Sequence, residues 1–270
     1  MKEMKDFLDT LGEGYKHASN FKAKIRKNDK INDLIIHFEE YKKFHESFKE
    51  FKIENIEKIV NAWNTYLSFV RTNSTYSAQS KFESTIMEEA LFRIFKSYER
   101  DVIKVGGIKA YSNLYFSPAD FQNFKEQSNV KINTKDQDFA IFKQIKISTS
   151  DGNEVNAFVP IVAMECKTYL DKTMLEGSIA TAEKIKQGNP HCRFCIVAES
   201  YDVDYSIDIN NTRIDQIYVL SKRKRQKDIP ANSEIISSDV IVAIYNETSE
   251  HLNRKWSDVK SNIEKFGKVL

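Results

Sequence analysis

Residues 138–171, DFAIFKQIKISTSDGNEVNAFVPIVAMECKTYLD, decide how this chain is read. Two β-branched and aromatic runs flank an Asp-Gly pair, the pattern of antiparallel strands joined by a tight turn. The second run is apolar from Phe158 to Met164 and then carries Glu165 and Lys167. Residues two apart on a strand share a face, so these charges project together while Met164 and Cys166 point the other way. With Asp151 and Gly152 at the centre of the turn, paired residue numbers sum to 303 and Asp138 stands opposite Glu165. Like charges in that relation repel, because cross-strand Cβ atoms are only about 4.5–5.5 Å apart. A divalent cation offsets the repulsion, and Mg²⁺ takes one or two carboxylates and fills its other positions with water and phosphate oxygen. Lys167 adds a positive charge that can orient a water or help to deprotonate it. Asp136, opposite Lys167 in the same register, is a reserve ligand. The same Glu-x-Lys spacing at Glu3/Lys5 and Glu40/Lys42 falls in helical contexts and reads as solvated helix surface.

Ahead of the hairpin the period is helical. Leu34, Phe38, Tyr41, Phe48 and Phe51 recur at helical steps, as do Ile56, Val60, Trp63, Leu67 and Val70, and then Phe82, Ile86, Ala90 and Phe92 to Phe95. After it, DKTMLEGSIATAEKIKQ predicts a helix with Leu175, Ile179, Ala182 and Ile185 on one face, stopped by GNP at 188–190. CRFCIVAES, IDQIYVL and DVIVAIY read as short buried strands, and Leu252, Trp256, Val259, Ile263 and Phe266 as one last helix. The polar stretch RTNSTYSAQS marks a boundary near residue 75. The expected architecture is an α/β (α+β) mixed sheet flanked by helices, residues 76–270, behind an N-terminal helical region, residues 1–75.

Composition limits the function. Lys plus Arg number 41 against 39 Asp plus Glu, so a net charge of +2 gives no global field for nucleic acid, and DNA contacts must come from local patches. One patch is SKRKRQK at 221–227, with Lys222, Arg223, Lys224 and Arg225, which reads either as a phosphate-binding loop or as a solvated charge run. FKAKIRKNDK at 21–30 is a second. The longest apolar runs fall far short of a membrane span and the N-terminus lacks a signal-peptide core, so a soluble, cytoplasmic protein is expected. Cys192 and Cys195 form a single CxxC, but one pair is half of a structural zinc site, and in a strand context cysteine acts as a small hydrophobe. Five scattered histidines disfavour zinc-hydrolase chemistry, and the absence of GxxxxGK disfavours a nucleotide-driven motor.

Asp138, a hairpin, Glu165-Cys166-Lys167 on an apolar strand, then a helix and another strand: this order resembles the PD-(D/E)xK nuclease superfamily, with Gln137 where proline is usual. SKFESTIMEEALFRIF at 80–95, ahead of that core, resembles more narrowly the BbvCI-like group of type II restriction endonucleases. The resemblance covers roughly residues 75–245. It implies a restriction-endonuclease-like sheet and Mg²⁺-dependent, sequence-specific hydrolysis of double-stranded DNA. Asp138 and Glu165 would hold the metal, Lys167 would steady the water or the developing charge, and a glutamate from the preceding helix would assist. Glu88 is expected there, on the apolar side with Phe92 and Phe95, whereas Glu89 falls with Thr85 and Arg93 on a more polar side; Glu83 is a weaker option. Thr168, Tyr169 and Lys172 would line the DNA backbone channel. One constellation per chain implies a homodimer or a heterodimer with a related subunit for double-strand cutting, and a cognate DNA methyltransferase as functional partner. A structure-specific repair or recombination nuclease and a non-catalytic DNA-binding protein are the alternative readings. Discrete, Mg²⁺-dependent bands from unmodified DNA separate them.

Overall fold

Aromatic and aliphatic residues at helical spacing build the first third of the chain. The computed structural model describes residues 1–49, 51–77, 80–116, 130–148, 152, 154–224, 236–253 and 259–267. Its helical lobe comprises α1 (Lys2–Asp9), α2 (Lys16–Lys27), α3 (Ile31–Ser47), α4 (Ile56–Thr72), the short α5 (Ser74–Ser77) and α6 (Ser80–Phe95). Leu34, Phe38 and Tyr41 of α3, Val60, Trp63, Leu67 and Val70 of α4, and Phe82, Ile86 and Ala90 of α6 are all buried, at the steps the period predicts. His17 sits among them, its ring 4.6 Å from that of Phe82, hydrogen-bonded to the Tyr66 hydroxyl at 2.7 Å and to Thr85 Oγ1 at 3.0 Å.

The rest of the chain adds β1 (Lys104–Phe116), β2 (Val130–Ser148), β3 (Glu154–Leu170), α7 (Lys172–Gly188), β4 (Arg193–Tyr201), β5 (Gln216–Val219), α8 (Ser238–Asn253) and α9 (Val259–Phe266). The sheet order is β1-β2-β3-β4-β5, antiparallel across the first three strands and parallel from β3 to β5. This is the expected mixed sheet. Phe139, Ile141, Met164 and Val197 face the helical lobe and share one apolar cluster with it. Ala163, Phe194, Ile196 and Ala198 on the other face pack against Leu175, Ala182 and Ile185 of α7. Asp171 caps α7 by accepting from the Met174 backbone N–H at 2.8 Å. Cys192 and Cys195 are free and lie in different clusters on the two faces of the sheet, so they do not converge on a metal.

Four elements differ from the sequence expectation. DVIVAIY lies in α8, not in a strand: Asp239 Oδ1 accepts from the Val240 N–H at 2.9 Å in the first turn, and Ile241, Ile244, Thr248 and His251 form the buried stripe. A short apolar run does not by itself separate strand from buried helix. β1 is a strand that the sequence reading lacked, and β2 begins at Val130, eight residues before Asp138. The segment read as one last helix holds the end of α8 at Leu252 and the separate α9, with Trp256 outside the described residues.

The hairpin register places the site. From Ser148↔Glu154 to Phe142↔Pro160 the paired numbers sum to 302, and from Ile141↔Val162 to Phe139↔Met164 they sum to 303. The two-residue turn expected at Asp151-Gly152 needs a sum of 303 from the start; Thr149, Ser150, Asp151 and Asn153 lie outside the described residues. An extra residue in β3, Ile161, then restores the expected register at the far end. Pro160, which has no N–H for the ladder, sits at this bulge. The carbonyls there are taken by side chains: Asn189 Nδ2 donates to Pro160 O at 2.6 Å, and His251 Nε2 lies 3.2 Å from Ile161 O.

Candidate active site

Beyond the Phe139↔Met164 pair β3 leaves β2 but stays paired with β4 as far as Leu170. Glu165, Cys166 and Lys167 thus lie where the hairpin opens, some residues inside the strand rather than at its end. Met164 and Cys166 face the helical lobe, so Glu165 and Lys167, alternating with them along β3, face the other way. Asp138 Oδ2 accepts from the Cys166 backbone N–H at 2.9 Å, fixing that carboxylate across the opening. Glu165 is 9% exposed; its Oε2 accepts from Ser178 Oγ of α7 at 2.6 Å and lies 3.2 Å from Lys167 Nζ. Burial alone pulls the Lys167 ammonium down, but the carboxylates of Glu165 and Asp138 outweigh it and hold the group above its ordinary value. Lys167 is therefore a charged donor in this arrangement, suited to orienting an oxygen rather than to removing its proton.

The helix before the sheet contributes as α6 turns. Glu88 pairs with Lys16 of α2, whose ammonium also donates to the Asp138 carbonyl oxygen at 2.7 Å. Glu89 is fully buried in the lobe, bound by the Tyr41 hydroxyl at 2.7 Å, the Ala18 N–H at 3.0 Å and Arg93. Thr85, Glu89 and Arg93 do form the expected polar side of α6, but that side is buried in the lobe, where the Glu89 and Arg93 charges satisfy one another. Glu83 is held by Arg71, which also pairs with Glu199. Asp136 is exposed and pairs in the ladder with Lys109 of β1 instead of standing opposite Lys167.

Sequence reasoning missed Lys16, Ser178 and Gly107. Between Gly106↔Ala140 and Ile108↔Gln137, β1 advances two residues while β2 advances three, so β2 bulges at Asp138 and Phe139. Gly107 faces this bulge. A glycine pair inside a strand signals a close approach, and that signal was present at Gly106-Gly107. Nothing in the local sequence of α2 marks Lys16.

The residues assigned to the DNA backbone are dispersed. Lys172 is exposed in the first turn of α7, 3.9 Å from Glu176, and Thr168 and Tyr169 belong to β3. Lys222 pairs with Asp239, and Lys224 Nζ lies 4.9 Å from the centroid of the exposed Tyr205 ring, which stacks on Tyr201. Arg223 follows β5, and Arg225 lies outside the described residues. Among the described residues no three His, Cys, Asp or Glu side chains form a metal cage. The donor set nevertheless fits a hard cation: Mg²⁺ needs only one or two carboxylates, and Asp138 and Glu165 each have one oxygen fixed by a hydrogen bond and a second that accepts none from the described residues.

Comparison with known proteins gives the class. Residues 79–263 match the family model of the Bpu10I restriction endonuclease. The fold matches a solved structure, the native BbvCI A2B2 tetramer at low resolution, with a TM-score of 0.74 and 16% identity over 90% of this chain and 97% of that one. No curated protein matches the chain. At this identity the BbvCI structure speaks for the fold, and the family match carries the activity. The protein is a type II restriction endonuclease, a site-specific deoxyribonuclease. It belongs to the Bpu10I restriction endonuclease family, whose members generally use a divalent metal.

Proposed function

We propose that this endonuclease hydrolyses phosphodiester bonds of double-stranded DNA with Mg²⁺ held by Asp138 and Glu165. The observation that carries the reading is the opening of the β2–β3 hairpin, where Asp138 is tied to the Cys166 N–H, Lys167 Nζ lies 3.2 Å from Glu165 Oε2, and both carboxylates act on the Lys167 ammonium. A bound Mg²⁺ would polarise the phosphoryl group and lower the pKa of its water. The protein's own groups do the positioning. Ser178 and the Cys166 N–H each fix one carboxylate oxygen, which leaves the other to face a cation. Lys167, kept protonated by its carboxylate neighbours, donates to the attacking water or to the oxygen on which charge develops. Glu88 supports the same corner from α6.

Lys222, Arg223, Lys224, Arg225 and Lys172 are proposed as backbone contacts, because they supply positive charge in the connections that follow β3 and β5. Residues 1–75 would serve DNA recognition or dimerisation, in front of a nuclease core over 76–270. One constellation per chain calls for a second active site to cut both strands, from a homodimer or a heterodimer with a related subunit. The tetramer of two subunit types in the BbvCI structure favours related subunits. The enzyme would act in the cytoplasm beside a cognate DNA methyltransferase; no helix among the described residues is long and apolar enough to cross a membrane.

The test is incubation with unmethylated phage DNA with and without Mg²⁺, alone and with the product of a neighbouring gene as candidate subunit. Discrete bands that need Mg²⁺ support the reading. Cleavage that persists in excess chelator removes the metal from the mechanism.

A further inference from the structure

Helix α2 brings a lysine to the nuclease site. Lys16, the first residue of α2, pairs with Glu88 of α6 and donates to the Asp138 carbonyl oxygen at 2.7 Å. Several separate features accommodate it. The β2 bulge turns the Asp138 carbonyl out of the ladder, which makes it available as an acceptor. Gly107 stands opposite, and a Cβ there would overlap the Lys16 ammonium and lie 3.0 Å from that carbonyl oxygen. The Glu88 side chain, only 11% exposed, is directed at the same point. An ammonium held by a carboxylate and a carbonyl is surrounded by oxygen as a hard cation would be.

Charge gives the arrangement a purpose. Asp138, Glu165 and Glu88 bring three negative charges to this corner, and Lys16 and Lys167 return two positive ones. With one divalent ion and the single charge of a scissile phosphate the site is neutral. Without Lys16 the same carboxylates attract metal more strongly, because the nearest like-charged competitor is gone.

We propose that Lys16 is a built-in cation of the active site, seated between Glu88 and Asp138, so that one divalent ion at Asp138 and Glu165 suffices for cleavage. The inference rests on the metal reading of those two carboxylates. Lys16 acts as a positioning residue: it holds Glu88 beside the bulge and restrains metal binding to a single ion.

The test is calorimetric titration of the full-length protein with Mn²⁺, alongside single-turnover cleavage. Lys16→Met keeps the apolar stem and removes the charge. It is expected to bind Mn²⁺ about tenfold more tightly, equivalent to about 1.4 kcal/mol, or to take up a second equivalent, while cleaving more slowly. A purely structural lysine would not produce tighter metal binding. Gly107→Ala displaces the ammonium without altering a charged group; it is expected to shift both readouts in the same direction and to add nothing in a Lys16→Met background. Unchanged Mn²⁺ affinity in folded Lys16→Met overturns the inference, as does full additivity of the two substitutions. Should Lys16→Met not fold, unchanged affinity in Gly107→Ala overturns it equally. Wild-type protein that binds no Mn²⁺ removes the metal reading and this inference together.

Discussion

Glu165 is held by two neighbours of different kinds, and their separation defines what each contributes. Lys167 brings a positive charge, whereas Ser178 donates a neutral hydrogen bond from α7 that sets the carboxylate's rotamer. Ser178→Ala is therefore expected to lower the cleavage rate about tenfold, the worth of one hydrogen bond to a charged group, with thermal stability little changed. Unaltered rates under single-turnover conditions would assign Glu165's orientation to the strand alone. At this scale much was legible in the sequence, because alternation along β3 alone puts Glu165 and Lys167 on one face. The ladder does reach the expected sum at Phe139↔Met164, one pair short of Asp138 and Glu165, but by a different route. The turn was one residue out of register and the Ile161 bulge, invisible to alternation, compensated it. Ser178 and Lys16 were not legible, since each acts across a tertiary contact that no local pattern encodes.

Helix α6 shows how one element divides its work between stability and chemistry. Adjacent glutamates point in different directions: Glu88 toward the sheet opening, Glu89 into the lobe, where it neutralises the buried Arg93. Glu89→Ala would leave that guanidinium buried and uncompensated, so a loss of about 3–5 kcal/mol is expected in urea unfolding. Glu88→Ala, at a partly exposed position, is expected to reduce cleavage with little loss of stability. Equal stabilities for the two variants would contradict this division. Helical period groups Glu89 with Thr85 and Arg93, but it cannot see that this side is buried, where Tyr41, Ala18 and Arg93 satisfy the carboxylate. In α8 the same limit had the opposite result: a β-branched run looked like a strand until its packing against the lobe was known.

The same lobe has a built-in acid sensitivity. Burial drives the His17 imidazole down to about 3, so it is neutral in the fold and titrates near 6.5 once unfolded. The unfolded chain thus takes the proton first. Stability present above about pH 6.5 is lost as the pH falls towards 3, at about 1.4 kcal/mol per pH unit for this histidine alone. Urea unfolding between about pH 6 and 4.5 should show a shallower slope in His17→Gln than in the wild type. Parallel slopes would place the acid lability in other groups, His45 among them, whose imidazole burial also drives down to about 3.

Across the whole molecule, the apolar cluster runs without interruption from Met4 in α1 to Ile244 in α8 and includes Phe139 and Met164 beneath the site. The polar stretch near residue 75 suggested a boundary in the sequence, yet it contains the fully buried Tyr76. A fragment starting at residue 76 would expose the lobe-facing side of the sheet, and it is expected to lack a cooperative unfolding transition and to lose cleavage. A fragment that folds and still cuts the same sequence would make the lobe an accessory rather than part of the core. The proposed chemistry rests on Asp138, Glu165 and Lys167. Its most direct test is single-turnover cleavage of a DNA duplex containing the recognition site by Lys167→Ala beside wild type, with binding to the same duplex measured in Ca²⁺. Wild-type binding is expected, with a cleavage rate at least about a hundredfold lower. Wild-type cleavage by Lys167→Ala would place the chemistry elsewhere in the molecule.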